Sequence, residues 1–125
     1  MKSAPGFQKH PDHKVEIARA DGRLQLSLKG EVIATSDETL LLKEGNYPDR
    51  YYFPIHDIKG DILKPSDHHS YCPFKGTARY WDVLVGKDVI KDGAWGYDDP
   101  YFECADLTGY VCFYMEKAAF SLQKL

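Results

Sequence analysis

The segment Thr77 to Val85 alternates without a break, and that period limits the folds open to the chain. Thr77, Arg79, Trp81, Val83 and Val85 fall on one face, with Ala78, Tyr80, Asp82 and Leu84 on the other. A period of two residues belongs to a strand and is incompatible with a helix. Comparable short runs recur along the sequence, separated by glycine turns. Leu24, Leu26 and Leu28 alternate with Gln25 and Ser27; Lys29-Gly30 then turns the chain into EVIATS, which predicts a hairpin. TLLLKE, residues 39–44, fits a short strand or a single helical turn, and GNYPD reads as a turn. Tyr51, Tyr52 and Phe53 favour a strand that Pro54 confines to an edge or an end. Residues 55–63 suit a short helical or turn element, and His68-His69-Ser70 leads into CPFKG.

Beyond Val85, Gly86-Lys87 and Asp92-Gly93 both read as turns, and AWGYDDP as a rigid aromatic loop. Residues 100–108 are irregular or weakly helical. GYVCFYM is strand-prone, and AAFSLQK adds a last strand. No long amphipathic helix interrupts this series. The expected fold is mostly β: short antiparallel strands in a curled sheet or two packed sheets, with little helix. A chain of 125 residues suits one domain with one core, over residues 15–125. Residues 1–14 carry prolines, a glycine and the histidines His10 and His13, and read as a flexible arm.

Charge narrows the partners. With 16 basic against 19 acidic residues, the chain lacks a broad nucleic-acid footprint. No run is apolar enough to span a membrane, and the N-terminus has no apolar signal core. The three cysteines, Cys72, Cys104 and Cys112, show no disulfide pattern, so a cytoplasmic home is the simplest. Strand edges and exposed aromatics permit a homodimer without requiring one.

The stretch SYCPFKGTARYW holds the densest chemistry. Pro73 biases Cys72 away from helical backbone, and Gly76 admits conformations closed to other residues. The turn so formed sets the Cys72 thiol near Lys75, a cation that favours thiolate. The plain alternative is a free cysteine acting as a small buried hydrophobe. Arg79 suits two-point contact with a carboxylate or phosphate, or pairing with an acid at the sheet surface. Asp57 and Glu103 supply carboxylates for proton handling. Tyr52, Tyr80, Trp95 and Tyr97 could wall a pocket or fill a core. No C-x-x-C pair, HExxH, phosphate loop or dinucleotide fingerprint is present, so neither metal nor cofactor is expected.

These pieces, in this order, resemble the DUF427 family, small bacterial and fungal proteins of unassigned function that are sometimes labelled nucleotidyltransferase-like. The resemblance rests on Ile33-Ala34 with Ser36, on Tyr51-Tyr52-Phe53-Pro54 with Asp57, and above all on Cys72 to Gly76 with Ala78, Tyr80 and Trp81. It continues through Ala94-Trp95, Tyr97, Pro100, Glu103, Gly109 and Phe113-Tyr114. It implies a β-tent-like fold. Relatives of that fold bind zinc through paired cysteines, which this sequence lacks, and no nucleotidyltransferase metal-carboxylate motif is present.

Three functional readings remain. The first is a small-molecule pocket, for an anionic ligand, with catalysis by Cys72, Lys75, Asp57 and Glu103. In it Tyr52, Arg79, Tyr80, Trp95 and Tyr97 contact the ligand. The second is a non-catalytic binding or interaction module. The third is a thiol or redox role for Cys72.

Overall fold

The computed structural model describes residues 2–125. Among them, ten strands form two antiparallel sheets, so the mostly-β expectation holds. In chain order they are β1 (Val15–Arg19), β2 (Leu24–Leu28), β3 (Glu31–Ser36), β4 (Leu40–Glu44) and β5 (Arg50–Pro54). Then come β6 (Leu63–Cys72), β7 (Gly76–Val85), β8 (Asp88–Gly96), β9 (Tyr110–Phe113) and β10 (Phe120–Lys124). The seven-stranded sheet runs β1-β4-β5-β9-β8-β7-β6, and the three-stranded sheet runs β10-β2-β3. Helix is confined to α1 (Gly6–Lys9) and three short 3₁₀ segments at Ile55–Asp57, Phe102–Leu107 and Met115–Lys117.

The β2–β3 hairpin forms as the sequence predicts. Lys29 and Gly30 take positive φ values of 51° and 84°, the backbone of a tight two-residue turn matched to strand twist. Leu24, Leu26 and Leu28 are all buried and point from the small sheet onto the large one. They meet Phe53, Trp81, Val83, Ala94, Val111 and Phe113 there. Each such leucine contributes about 2 kcal/mol by leaving water.

The single expected core is in fact double. Odd-numbered β7 residues Trp81, Val83 and Val85 enter the layer between the sheets. The opposite face of the large sheet carries a second cluster: Leu40, Leu42, Tyr52, Ala78, Trp95, Tyr97, Cys104, Leu107 and Cys112. Strand alternation therefore feeds two apolar layers, and both faces of the large sheet need cover. On the second face that cover comes from loops and from the N-terminal segment.

Several local expectations change. Residues 39–44 resolve as strand at β4. Asp92-Gly93 is a bulge inside β8 and makes no turn. Trp81 pairs Ala94 but Val83 pairs Ile90, so β8 carries the extra residues. Asp92, at φ 50°, is held there by its N–H donating to Asp82 Oδ1 (2.9 Å) and by Ser66 Oγ donating to its carboxylate (2.5 Å). Trp95 consequently lies on a strand, where the sequence reading put a loop. Residues 63–72 form a ten-residue edge strand that periodicity did not reveal, because its side chains are mostly polar and exposed. The N-terminal segment lies against the CPFKG turn and the loop after β8: the Gly6 N–H donates to Pro73 O (2.9 Å), and the Phe102 N–H to Lys2 O (2.7 Å).

Gly76 is required by that turn. Its φ is 119°, and an added Cβ would stand 3.4 Å from Asp99 O and Pro100 Cα. Gly30 also has positive φ, but open space surrounds it. Gly76→Ala should therefore cost about 2–3 kcal/mol and Gly30→Ala about 1 kcal/mol. Urea unfolding checks this, and equal losses would remove the packing constraint at Gly76.

Candidate functional site

Three members of one cross-strand row, Tyr52, Trp95 and Tyr80, floor a cavity on the large sheet. Leu40 pairs Tyr52, Tyr52 pairs Cys112, Cys112 pairs Trp95 and Trp95 pairs Tyr80. Directly opposed residues share a face, so this row runs across β4, β5, β9, β8 and β7 on the side away from the small sheet. The cavity above it measures about 410 Å³. Tyr52, Tyr80, Trp95 and Tyr97 line it. Leu42 with Glu44, and Arg50 with Tyr52, reach it because residues two apart on a strand share a face. Cys72, Pro73, Phe74 and Lys75 form one wall, Tyr114 another, and His13 enters from the N-terminal segment.

The polar wall is a chain of three groups. The Lys75 ammonium donates to Glu44 Oε1, and His13 Nε2 lies 2.8 Å from Glu44 Oε2. Lys75 and Glu44 each keep only 11% of their side-chain surface. Burial alone would raise the Glu44 carboxyl. Hydrogen bonds from Lys75 and His13, with their charges, outweigh it and hold the carboxyl below its usual range. Glu44 is therefore a fixed carboxylate at neutral pH. His13 is further held by stacking on Phe74, with ring centroids 3.9 Å apart.

The aromatic wall is also braced. Trp95 Nε1 donates to Tyr52 Oη (3.2 Å), and the Arg50 guanidinium lies 5.2 Å from the Trp95 ring and 5.6 Å from Tyr114. Arg50 donates to Glu116 at 2.8 Å. Burial pushes the Tyr52 hydroxyl well above its ordinary range, and Cys112 adds to it. Tyr97 is pushed up likewise, first by burial and next by its neighbour Cys72. Both phenols stay protonated and serve as hydrogen-bonding groups.

The cysteines divide sharply. Cys112 is fully buried and its thiol is pushed far up by desolvation. Burial raises the Cys104 thiol to about 11, and its Sγ contacts Phe74 O. Cys72 is half-buried, and of the three it alone lines the cavity.

Three residues named from sequence lie outside this cavity. The Arg79 side chain turns to the other side of β7, its guanidinium 4.3 Å from the Trp81 ring and 3.9 Å from Asp98. Asp57 accepts from Ser36 Oγ at 2.6 Å and sits beside His56. Among the described residues, Glu38, His56 and Asp57 are the donors close enough to share an ion, and no cysteine joins them. Glu103 accepts the Ala4 N–H at 2.8 Å and so anchors the N-terminal segment. Conversely, sequence reading assigned no site role to Glu44, Phe74 or His13. Glu44 had a visible signal, since Leu40, Leu42 and Glu44 alternate onto one face and a carboxylate ends that apolar row. His13 had none, because nothing local says that residues 2–14 fold back.

Removing Lys75 takes from the buried Glu44 carboxylate the partner on Oε1 and leaves it only His13 on Oε2. Lys75→Met should cost about 3 kcal/mol, and Glu44→Gln in the same chain should restore part of that loss. The pH dependence follows from the lowered Glu44 value. Its stabilisation is present above the unfolded carboxyl's 4.5 and is lost as pH falls through the lower folded value. Urea melts of the wild type and Glu44→Gln from pH 7 to pH 2.5 should therefore converge as pH falls below the unfolded carboxyl's value toward the acid end of that range. A constant difference across that range would rule out the ionised pair.

A family model described as "Domain of unknown function (DUF427)" matches residues 16–124, from β1 to the end of β10. No curated protein matches the chain. The matched span contains both sheets, the cavity floor and the Cys72–Gly76 turn, and stops short of His13. The chain belongs to the DUF427 family.

Proposed function

We propose that the protein binds a small organic anion with a flat apolar body in the cavity over the Tyr52–Trp95–Tyr80 row. The observation that carries this reading is a 410 Å³ space with an aromatic floor and two cations, Arg50 and Lys75, among its lining groups. Aromatic walls take a planar apolar body, and a few fixed polar groups orient it. Arg50 is the natural receptor for the anionic end. Its guanidinium carries more N–H donors than its contact with Glu116 uses, and Glu116 is half exposed, so a ligand carboxylate can replace it. Lys75, held by Glu44, contributes position more than free charge.

A thiol-dependent reaction on the bound molecule is the second reading. It rests on the separation of the cysteines: Cys104 and Cys112 are buried with raised pKa values, whereas Cys72 faces the cavity. In this reading the Cys72 thiolate adds to an electrophilic carbonyl carbon of the bound molecule, the C=O π pair moves to the oxygen, and the Tyr97 hydroxyl, kept protonated, donates a hydrogen bond to that oxyanion.

Titration with 2-naphthoate, followed by tryptophan emission, tests the first reading. Saturable quenching is expected, weakened about tenfold by Arg50→Met, which corresponds to about 1.4 kcal/mol. The neutral 2-(hydroxymethyl)naphthalene should be far less sensitive to that substitution. Absence of saturable binding by either compound would sink the reading. Iodoacetamide with mass-spectrometric mapping tests the second. Cys72 should be alkylated at pH 7.5 and protected by 2-naphthoate, while Cys104 and Cys112 stay unmodified in the folded chain. A Cys72 as inert as the other two would eliminate it as nucleophile.

A further inference from the structure

We infer that His13 determines the charge specificity of the cavity, acting as a positioning residue through Glu44. The inference rests on the cavity reading above and adds a residue that lies outside the family-matched span of 16–124. Glu44 has two oxygens, and each is engaged: Oε1 by Lys75 and Oε2 by His13. With both engaged, the carboxylate offers the cavity no bare anionic acceptor, and the cations nearby set the sign of the wall. Without His13, Oε2 loses its partner and faces the space that His13 lined. The wall then presents a partly uncompensated negative charge to any anion that enters.

The placement of His13 is built in several ways. Its ring stacks on Phe74 at 3.9 Å between centroids, and Phe7 packs edge-on against the same Phe74 ring at 5.0 Å. The segment before it is fixed separately, by Gly6 N–H to Pro73 O at 2.9 Å and Ala4 N–H to Glu103 at 2.8 Å. An added Cβ at Gly6 would fall 2.7 Å from the Phe74 ring, so the backbone passes in direct contact with the turn. Substituting His13 therefore removes one side chain and leaves the anchors of the segment in place. The charged groups bearing on His13 are Glu44 on β4 and Lys75 on the turn, and His10 reaches the Phe74 ring at 6.4 Å.

Small collisional quenchers read this wall without any knowledge of the ligand. Iodide, caesium and acrylamide serve as anionic, cationic and neutral probes of Trp95, whose signal is the difference between the full chain and its Trp95→Phe variant. Ionic strength is held constant with potassium chloride. The full chain should favour iodide over caesium. His13→Ala should lower the iodide-to-caesium ratio about threefold, as expected for one partly solvated charge, with acrylamide unchanged. His13→Gln, whose amide can donate to Glu44, should keep the original ratio. Adding Glu44→Gln to His13→Ala should restore the iodide preference, because the exposed charge is then gone. An unchanged ratio in His13→Ala, or no recovery in the double variant, would overturn the inference. Near-identical circular dichroism across the set confirms that folded chains are compared. The naphthoate titration reports separately: failed naphthoate binding with intact quencher selectivity condemns the cavity reading and leaves the role of His13 standing.

Discussion

A sheet that is apolar on both faces must be covered twice, and most of this structure follows from that requirement. Alternation in β4, β5, β7, β8 and β9 sends large side chains to either side of the seven-stranded sheet. On one side the β10-β2-β3 sheet closes the layer with three leucines and their neighbours. On the other no second sheet lies among the described residues. The 3₁₀ segment Phe102–Leu107 sends Cys104 and Leu107 into that layer, and the N-terminal segment and the CPFKG turn cover more. Loops tile a flat surface less completely than a sheet does. The uncovered remainder is the aromatic-floored cavity.

The buried Lys75–Glu44 pair explains how a loop cover stays seated. Lys75 belongs to the turn between β6 and β7, and Glu44 is the last residue of β4, elsewhere in the same sheet. Their contact ties the turn across the cavity mouth. Burying both charges costs desolvation, and only a well-placed pair with further hydrogen bonds recovers it. His13 supplies the further bond. The same contacts therefore fasten the cover and set the polarity of the space beneath it. This is how a local turn motif, the N-terminal segment and the far end of β4 become one site.

Much of the fold was legible because strand periodicity is a local property. Leu24 to Leu28, the Lys29-Gly30 turn and Thr77 to Val85 each carry their assignment within a few residues. Tyr52, Tyr80, Trp95, Cys72, Lys75 and Tyr97, which line the cavity, stand out in the sequence as aromatic, thiol or cationic side chains in or near strands. What escaped was set by contacts distant in sequence. Asp92-Gly93 has turn chemistry, yet Ser66 and Asp82 convert its positive φ into a bulge. Arg79 shares a strand with Tyr80, but the pleat sends it to the opposite side, over Trp81. Asp57 and Glu103 look like acid–base candidates in isolation, while their observed partners are Ser36 Oγ and the Ala4 backbone. The involvement of His13 depends on residues 2–14 folding onto a turn some sixty residues away.

The strand that periodicity missed has its own physical meaning. β6 closes the edge of the large sheet, pairing with β7 alone among the described residues. It contains Pro65, a register break between Pro65 and His69, and the exposed polar run Asp67, His68, His69 and Ser70. A proline, an irregular ladder and hydrated side chains make an edge a poor template for another strand. The residues that hide β6 from strand periodicity are thus the same ones that make this sheet edge a poor template for a further strand.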